Sequence, residues 1–598
     1  MKKVSVIVPT FNNTEENLDR LINSFNEQTM CEEYFEVIFV DDGSSEFQSY
    51  RNLKDKIEKH DNYYAYRISP SGWSSRPRNK GIKVANGKYV FFCDDDDTIF
   101  PQSLERMYNF AEQYDLDVVN PKVIRTKGWS WGWNEYKENI VNAEKNGINS
   151  MGPMTVPKLY KKDFLIQNNL FFSEGEKVWW EDVMFSCLVF SKKPKIGILA
   201  DYPIYHWREQ NRSAGFGKDL DYKWSQLNNL AKFFTDNLNH EDKITMITHW
   251  YNSRVLGAIR KNFHKKEEKT QDIEFSKARE WREKYVTTEV VKNLDTRSKI
   301  LDYILEQNRQ DLAFSYSKSK EDVTARSYIT NLEFEKDAII IESKAAITYN
   351  EVKKVNIKGS PEKPKLNLPK DVKEAVPKEL NIYNKIDSYD NLYAPALKGR
   401  FTRTTWDIKD IIKSDFEYDK TLFKYNVTGN LKFALKLDKY IQDDEDKHQP
   451  FDVATRFSYY DYFSQRAIAC KDNFSKSAII NGNTYVIYKN KSELLSIDLN
   501  STIKDFLSVA KLDTKNKEVV ANRITVPIIT DHVYGNTSND YLGSIYNERT
   551  DNFIETKVKL VTENGKACLV IDNKNMLSGN CTIDVSIGRK SHRFNLEI

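Results

Sequence analysis

The stretch RNKGIKVANGKYVFFCDDDD, residues 78–97, contains the change of pattern that decides the fold of the N-terminal part of this chain. Its first half predicts a short helix that ends at Gly87, and KYVFFC (88–93) predicts a buried strand. Four aspartates follow the strand directly. Because like charges repel, this cluster indicates that a cation or hydrogen-bond donors lie among the carboxylates.

The residues before this stretch alternate between strand and helix patterns. VSVIVP (4–9), FEVIFVDD (35–42) and the weaker YYAYRI (63–68) predict strands. TEENLDRLINSFNEQ (14–28) has apolar residues at helical spacing. This alternation is typical of a mostly parallel sheet with helices on both faces.

Polar clusters follow three of these strands. They are PTFNN (9–13), DDGSS (41–45) and DDDD (94–97). Ligands of such sheets bind at the carboxyl ends of the strands, so the three clusters are expected to converge on one site.

The pattern changes twice in the rest of the chain. Long apolar stripes at helical spacing predict a helical linker over residues 218–327, and alternating runs separated by Asn, Gly and Asp turns predict β-sandwiches after it. GSPEKPKLNLPKDVKEAVPKEL (359–380) is predicted as a long loop because of its spaced prolines. We therefore predict domains at 1–217, 218–327, 328–460 and 461–598.

Composition excludes several classes of protein. The 598 residues include 90 Lys plus Arg and 87 Asp plus Glu, so the net charge gives no reason to expect a nucleic-acid partner. Neither a signal peptide nor a membrane span is recognised. The six cysteines are scattered without a CxxC pair, which favours a reducing compartment and a cytoplasmic location.

The aspartate run is the first candidate for chemistry. Asp94 and Asp96 would point the same way on an extended backbone, and one or two carboxylates with substrate phosphates suffice to hold a divalent cation. The alternative is a solvated acidic loop. Arg78, at a predicted helix start, could neutralise a diphosphate, whereas for Arg76 a solvent-exposed role is equally plausible.

Asp41 could accept hydrogen bonds from a nucleobase or ribose, or belong to an acidic turn before a helix cap. The patterns GxxxxGK[ST] and HExxH are absent, and no strand is followed by GxGxxG. These absences leave a P-loop ATPase and a dinucleotide-binding dehydrogenase without support.

Taken in order, VSVIVPTFNN, FEVIFVDDGSS, residues 76–100 and WWEDVMFSCLVF (179–190) resemble the family 2 glycosyltransferases of GT-A fold. The resemblance covers roughly residues 3–215 and implies an α/β, Rossmann-like mixed sheet. It implies a UDP-sugar donor and Mn²⁺ or Mg²⁺ on the donor diphosphate, with Asp96 as the favoured metal ligand of a DxD motif. The donor-binding positions that it implies are Pro9, Phe11, Asp41, Arg78, Asp94 and Asp95.

The acid pair of WWEDVMF matches the family's catalytic position. Asp182 is implied as the base that takes the acceptor proton in an inverting transfer, although acids also favour a helix N-terminus for structural reasons alone. YHWREQNRSAG (205–215) resembles the family's segment that closes over the diphosphate. Arg208 and Arg212 are candidates there, with His206 as a weaker metal candidate.

The whole arrangement resembles the TarS-type wall teichoic acid glycosyltransferases of Gram-positive bacteria and, in part, the shorter TarP type. That group implies N-acetylglucosamine transfer from UDP to poly-ribitol phosphate, an anionic polyol-phosphate polymer, and trimers formed through Ig-like C-terminal modules. Peripheral association with the inner membrane face is a further option. The departures are DDDD in place of DSDD and the tryptophans Trp179 and Trp180 before the acid pair; these, with GWSWGW (128–133), could stack on sugars or fill a core.

We therefore expect an inverting, metal-dependent UDP-sugar glycosyltransferase. Three alternatives stay open: a transferase for a capsular or other cell-surface glycan, a non-catalytic carbohydrate-binding or assembly protein, and a nucleotidyltransferase with similar acidic metal ligands.

Overall fold

The structure is a computed structural model, and most of the chain can be described from it. The described residues are 2–45, 47–125, 136, 138–175, 178–208, 219–260, 262–319, 323–383, 391–402, 405–441, 449–460, 462–547, 549–573 and 578–598. They divide into two compact units, of which the first comprises residues 1–321 and 368–382 and the second comprises 322–367 and 383–598.

The first unit contains a nine-stranded mixed sheet. Its strands are β1 (Val4–Thr10), β2 (Phe35–Asp41), β3 (Tyr63–Arg67), β4 (Tyr89–Phe92), β5 (Thr98–Ile99), β6 (Val118–Arg125), β7 (Ile140–Val141), β8 (Leu159–Lys161) and β9 (Ile196–Trp207). The order is β3-β2-β1-β4-β8-β6-β9-β5, with β7 beside β9. Strands β1 to β4 are parallel to one another, whereas β8 runs antiparallel to β4.

Among the described residues, six helices accompany this sheet: α1 (Glu15–Asn26), α2 (Phe47–Ile57), α3 (Ser75–Val84), α4 (Ser103–Tyr114), α5 (Lys162–Gln167) and α6 (Glu181–Ser191). Short 3-10 helices lie at Glu32–Tyr34 and Ala143–Met151. Because successive strand residues point to opposite faces, the sheet has two cores. Val6 belongs to the core with α1, α2 and α4, and Ile7 belongs to the core with α3, α5 and α6.

Helix α3 lies unusually close to β1. A Cβ on Gly81 would come within 2.3 Å of the Ile7 side chain. Glycine at this position therefore allows α3 to pack tightly on the sheet, and the same helix carries Arg78 and Asn79.

The helical segment continues the first unit. It comprises α7 (Leu220–Asn237), α8 (His240–Trp250), a π-helix (Tyr251–Val255), α9 (Leu256–Arg260), a 3-10 helix (Phe263–Lys265), α10 (Glu268–Tyr285), α11 (Thr288–Lys292), α12 (Thr296–Glu306) and α13 (Gln310–Lys318). Polar residues start several of these helices: Asp219 accepts from Tyr222 N at 3.1 Å, and Asn239 accepts from Asp242 N at 3.0 Å.

In the part of the second unit that the structure describes, the strands form three sheets with mostly antiparallel pairing. The first contains β10 (Val323–Glu335), β11 (Ala338–Tyr349), β12 (Lys353–Lys354), β13 (Ile357–Ser360), β14 (Lys363–Lys365), β17 (Ile411–Thr421) and β18 (Lys424–Leu435). The second contains β15 (Leu392–Gly399), β16 (Thr405–Asp407), β19 (Pro450–Tyr459), β20 (Tyr462–Ala467), β21 (Ser475–Ile480), β22 (Asn483–Lys489), β23 (Leu495–Leu499) and β27 (His532–Tyr534).

The third sheet contains β24 (Lys511–Leu512), β25 (Glu518–Val520), β26 (Arg523–Ile529), β28 (Thr537–Asn547), β29 (Asn552–Glu563), β30 (Lys566–Asp572), β31 (Asn580–Ile587) and β32 (Lys590–Glu597). Helix α15 (Leu437–Tyr440) and 3-10 helices at Phe506–Ser508 and Thr514–Asn516 connect strands of this unit.

The middle sheet of the second unit is shared between two cores. Ile480 and Tyr485 pack into the core with the first sheet, whereas their neighbours Ile479 and Val486 pack into the core with the third. This sheet takes strands from both sides of residue 460. The two β-sandwiches are therefore joined through one common layer.

One sequence prediction is wrong in this region. The stretch 359–380, predicted as a long loop, ends β13, forms β14 and then enters α14 (Lys370–Ala375) and a 3-10 helix at Lys378–Asn381. Two of its prolines stand at helix starts, because Pro369 and Pro377 are the N-cap residues of these two helices.

The predicted fold class is confirmed: an α/β mixed sheet is followed by a helical segment and by β-sandwich layers. The six cysteines are free thiols, as their scattered positions predicted. In the part of the chain that the structure describes, no helix combines the length and apolar character needed to cross a membrane.

Candidate active site

The loops after β1, β2 and β4 meet at one edge of the nine-stranded sheet. The Asn12 N–H donates to Ser44 Oγ at 2.8 Å, and Asn13 Nδ2 donates to the main-chain oxygen of Asp95 at 2.9 Å. Pro9 is buried at the end of β1, whereas Phe11 is 53% exposed. The predicted convergence of the three polar clusters is therefore present.

The two acids at the end of β2 hold the neighbouring loops. Buried Asp41 accepts from the Ser44 N–H at 3.1 Å and pairs with Arg67, whose Nε lies 3.4 Å from Asp41 Oδ2. Asp42 accepts from the Ser71 N–H at 2.9 Å and from the Gly72 N–H at 3.1 Å. Asp42 thereby fixes the segment that precedes α3.

The aspartate run forms a turn rather than an extended strand. The Asp97 N–H donates to the Asp94 carbonyl at 3.2 Å, so Asp94 and Asp96 are not related by strand alternation. Asp94, Asp95 and Asp96 are partly exposed. This exposure leaves three neighbouring carboxylates at the edge where a ligand would bind.

Asp97 has a different role from the three carboxylates before it. Its side chain is buried and accepts from the Tyr205 hydroxyl at 2.5 Å and from the Arg208 N–H at 2.6 Å. Burial, and next the charges of Asp96 and Asp94, raise the pKa of Asp97 well above its ordinary value. The fourth aspartate thus ties the loop to β9, a role that the sequence analysis did not foresee.

Arg78 joins the aspartate loop to helix α6. It is buried, its Nη2 donates to Asp94 Oδ1 at 2.7 Å, and its Nη1 donates to Glu181 Oε1 at 2.7 Å. Ser74 Oγ donates to the same Glu181 oxygen at 3.1 Å. Burial alone would lower the pKa of Arg78, but Asp94 and Glu181 raise it overall. The guanidinium is therefore permanently charged and fixed in position.

Asp182 lies in the first turn of α6, next to this network. Trp180, the cap residue, has φ 62° and ψ 32°, a left-handed conformation that is rare for a bulky side chain. Such backbone strain clusters at functional sites. Burial, and next the Glu181 carboxylate, raise the pKa of Asp182 to about 7, although the Val183 N–H, Arg78 and Lys158 act in the opposite direction.

The tryptophans before the acid pair pack among other aromatic rings. The ring centroids of Trp179 and Trp180 are 5.8 Å apart, and Trp180 lies 4.8 Å from Trp250 of α8. The GWSWGW cluster at 128–133 lies outside the described residues, as does Arg212.

The remaining sequence candidates lie on or beside β9. His206 is 4% exposed and stacks on Phe100 with ring centroids 6.1 Å apart. Burial, and next the charges of Arg208 and Arg20, lower the pKa of His206 well below its ordinary value, so its imidazole is neutral. Arg208 donates through Nε to Thr98 Oγ1 at 3.2 Å.

Within the described ranges, no group of three or more His, Cys, Asp and Glu side chains is arranged to hold a metal ion. A nucleotide-bound divalent cation needs only one or two protein carboxylates, because the phosphates supply further oxygen ligands. The partly exposed carboxylates of Asp94–Asp96 fit that requirement in donor type and exposure.

Sequence reasoning missed one buried cation of this site. Lys158 is fully buried, and the Asp182 carboxylate is the neighbouring charge that acts on it. A lysine next to an apolar strand gives no local signal of its partner, because the two residues are brought together only by the packing of α6 on the sheet.

The comparisons with known proteins match the N-terminal part of this chain to one family. Residues 5–177 match the model of glycosyl transferase family 2. The chain therefore carries a glycosyl transferase family 2 domain.

Two individual relatives show which proteins the matching segment is similar to. Poly(ribitol-phosphate) beta-N-acetylglucosaminyltransferase TarP of Staphylococcus aureus is 33% identical over 209 residues, which are 34% of this chain and 62% of the relative. Poly(ribitol-phosphate) beta-glucosyltransferase of Bacillus spizizenii is 31% identical over 208 residues, which are 34% of this chain and 32% of the relative. The match thus spans less than two thirds of either relative.

Among solved structures, that of S. aureus TarS resembles the chain with a TM-score of 0.45 and 16% identity, covering 99% of this chain and 100% of the other.

Proposed function

We propose that this chain transfers a sugar from a UDP-sugar to poly(ribitol-phosphate), with inversion at the anomeric carbon. The observation that carries the proposal is Asp182. Its carboxyl group has a pKa of about 7 and lies beside the Arg78 network that reaches the aspartate loop. A base with a pKa near the working pH is best suited to accept a proton from a hydroxyl group.

In the proposed reaction, Asp182 takes the proton of the acceptor hydroxyl while that oxygen attacks the anomeric carbon. The bond between this carbon and the UDP oxygen breaks, and its electron pair leaves with UDP. No second carboxylate nucleophile is needed, because a single displacement inverts the carbon. Arg78 pairs with both Glu181 and Asp94 and would thereby hold helix α6 and the aspartate loop in fixed positions.

The donor would lie across the three loops. Pro9, Phe11 and Asp41 are proposed to hold the uridine, and Asp94, Asp95, Arg78, Arg208 and Arg212 to hold the diphosphate. Exposed Phe11 supports this assignment, because an aromatic face can stack on the uracil ring.

Asp96 is proposed as the protein ligand of Mn²⁺ or Mg²⁺, with His206 as a second candidate. Such an ion, when bound, neutralises charge that develops on the departing diphosphate. Hard carboxylate oxygens support Asp96, whereas His206, stacked and 4% exposed, is the weaker of the two.

We propose 1–217 as the catalytic domain and 218–327 as the helical linker. For the segments 328–460 and 461–598, which share one sheet, we propose glycan contact and trimer formation. A cytoplasmic location, with peripheral association at the inner membrane face as an option, is part of the same proposal.

The donor sugar is proposed as N-acetylglucosamine. One relative is named for N-acetylglucosamine transfer and another for glucose transfer, so both sugars need testing. The experiment is UDP release from UDP-N-acetylglucosamine, UDP-glucose and UDP-galactose, with and without Mn²⁺ and with poly-ribitol phosphate added.

Release that requires the metal and rises with the polymer supports the whole proposal. Metal-dependent UDP release that does not rise when the polymer is added would contradict the proposed acceptor. Pyrophosphate as the product in place of UDP would contradict the proposal of a glycosyltransferase. Absence of UDP release from every donor would favour a non-catalytic role.

A further inference from the structure

Three turns lie at one end of the first C-terminal sheet. Two-residue turns join β17 to β18 at 422–423 and β13 to β14 at 361–362, and a third turn, 350–352, follows β11. Strands β11 and β13 both run antiparallel to β18, so each ends near the residues at which β18 begins. The Gly359 N–H donates to the Phe423 carbonyl at 3.0 Å and ties β13 to the first of these turns. We call this part of the sheet the turn end.

The turn end exposes large apolar side chains. Leu422 is 86% exposed, Val352 is 85% exposed and Phe423 is 77% exposed. Single apolar side chains are common on protein surfaces, whereas several at one end of a sheet indicate an interaction surface.

Lysines accompany these side chains on the outer face of the sheet, which is the face opposite buried Tyr425. Lys358 stands directly opposite Lys365 of β14 and Lys424 of β18. Residues that stand opposite each other point to the same face, so three exposed ammonium groups lie side by side. We call these three residues the lysine row.

Farther from the turn end, lysines of the outer face are paired with acids. Lys432 Nζ lies 2.8 Å from Glu342, and Lys413 Nζ lies 3.0 Å from Asp415. Such pairs remove the repulsion between neighbouring like charges, which destabilises a sheet.

The lysine row has no such compensation. In the part of the chain that the structure describes, none of its three residues forms an ion pair with a carboxylate. Glu362, in the turn between β13 and β14, is itself paired with Lys420 at 3.3 Å. Repulsion within the row is therefore relieved when an anionic partner binds.

Exposed apolar side chains next to uncompensated lysines suit an anionic membrane surface. The apolar groups enter the boundary between headgroups and acyl chains, and the lysines contact the headgroup phosphates. A soluble anionic polymer would use the lysines and leave the apolar side chains without a partner. A two-fold contact with a second copy of this chain would bring two lysine rows together and add repulsion.

We propose that the turn end of the first C-terminal sheet is a docking surface for an anionic lipid bilayer. The three apolar side chains insert between the lipids, and the lysine row lies on the lipid phosphates. The inference rests on the peripheral membrane association included in the proposed function and is independent of the sugar transfer itself.

The test is flotation of the whole chain with vesicles of phosphatidylcholine alone and of an equal mixture of phosphatidylcholine and phosphatidylglycerol. We expect binding to the mixed vesicles only. The binding should weaken as the salt concentration rises, because salt screens the attraction between the lysines and the lipid phosphates.

Two variants separate the charged and the apolar contributions. The triple variant Lys358→Gln, Lys365→Gln, Lys424→Gln should lower the partition coefficient about a hundredfold, because each lysine near an anionic surface contributes about fivefold. The double variant Leu422→Ser, Phe423→Ser should lower it roughly tenfold or more, because apolar area no longer leaves water.

Matched controls remove the same kinds of side chain elsewhere. The triple variant Lys344→Gln, Lys413→Gln, Lys432→Gln loses the same net charge from the paired region, and Leu542→Ser loses an 81% exposed side chain from the third C-terminal sheet. Both controls should bind the mixed vesicles much as the unmodified chain does. Thermal unfolding confirms that every variant is folded.

Undiminished vesicle binding in both turn-end variants would overturn the inference. Lysine-dependent binding of poly-ribitol phosphate without vesicle binding would overturn it in favour of a soluble polymer. Self-association that is lost in Leu422→Ser, Phe423→Ser would overturn it in favour of a second copy. UDP release, measured without vesicles, should be unchanged in all these variants, so failure of the docking surface is distinguishable from failure of the proposed transfer.

Discussion

Two buried carboxylates, Glu181 at the site edge of the nine-stranded sheet and Asp498 in the C-terminal sheets, are compensated in different ways. At the site edge, Glu181 is paired with buried Arg78 at 2.7 Å. In the C-terminal sheets, fully buried Asp498 accepts from the main-chain N–H groups of Thr502, Ile503 and Lys504 at 2.7–2.9 Å. The charge of Glu181 is compensated by Arg78, which is distant in the sequence. The charge of Asp498 is compensated by main-chain N–H groups of the loop that follows it.

An exposed ion pair of the C-terminal sheets also differs from the buried pair between Arg78 and Glu181. Lys432 and Glu342, on neighbouring strands, are 37% and 35% exposed and lie 2.8 Å apart. Desolvated charges cost free energy, whereas pairs at the surface contribute little. The buried charge network at the edge of the nine-stranded sheet is therefore costly in free energy, which agrees with the functional role that we propose for this edge.

The largest expected effect comes from the base. Asp182→Asn should lower the rate of UDP release by about 10²–10⁴-fold, because a positioned general base contributes that much. UDP binding, measured by calorimetry, should change little. Asp540→Asn, which alters an exposed ion pair of the C-terminal sheets, is the matched control and should keep full activity.

Removing the cation should lower the free energy of unfolding much more for the buried ion pair than for the exposed one. Arg78→Ala leaves two acids without their cation and should cost about 3–5 kcal/mol of unfolding free energy. Lys432→Ala should cost about 0–1 kcal/mol. Scanning calorimetry measures both, and UDP identifies the transition of the site-bearing unit because a bound ligand raises it. Equal losses in the two variants would contradict the comparison.

Close packing offers a third test. Gly81→Ala forces a methyl group against Ile7 and should cost about 1–3 kcal/mol while displacing the helix that carries Arg78. Gly543→Ala crowds Val558 at 2.6 Å in the third C-terminal sheet. We expect Gly81→Ala to reduce both UDP binding and turnover. Gly543→Ala should lower the temperature of an unfolding transition and leave UDP binding unchanged.

The smallest effect is that of pH on the unmodified chain. Burial raises the pKa of Asp182 to about 7, so the carboxylate that acts as base is lost as the pH falls through 7. The value of kcat/KM should therefore fall about tenfold per pH unit below that point. His206 does not produce this limb, because its pKa lies well below its ordinary value. A profile that stays flat down to pH 5.5 would refute the raised pKa.

The sequence was informative where local patterns decide structure. The alternation of strands and helices up to Asp94 predicted the parallel part of the sheet and the meeting of three loops at its edge. These features depend on periodicity and on the position of polar residues at strand ends, both of which are readable from neighbouring residues.

The missed features depend on contacts between distant residues. The position of Lys158 beside Asp182 requires the packing of α6 on the sheet, and the burial of Asp97 requires Tyr205, more than a hundred residues away. The strand and helix within 359–380 were missed for another reason. Proline caps a helix as readily as it breaks one, and the sequence alone does not distinguish the two uses.

The interleaving of the two units has a consequence for synthesis on the ribosome. Residues 368–382 belong to the first unit, yet the chain passes through β10 to β14 of the second unit before it reaches them. Buried Val372 is thus made some time after α13. Domains generally fold as they emerge, but here the first unit stays incomplete until part of the second has been translated. A fragment cut near residue 328 would lack this returning segment, whereas an intact first unit needs the chain up to residue 382.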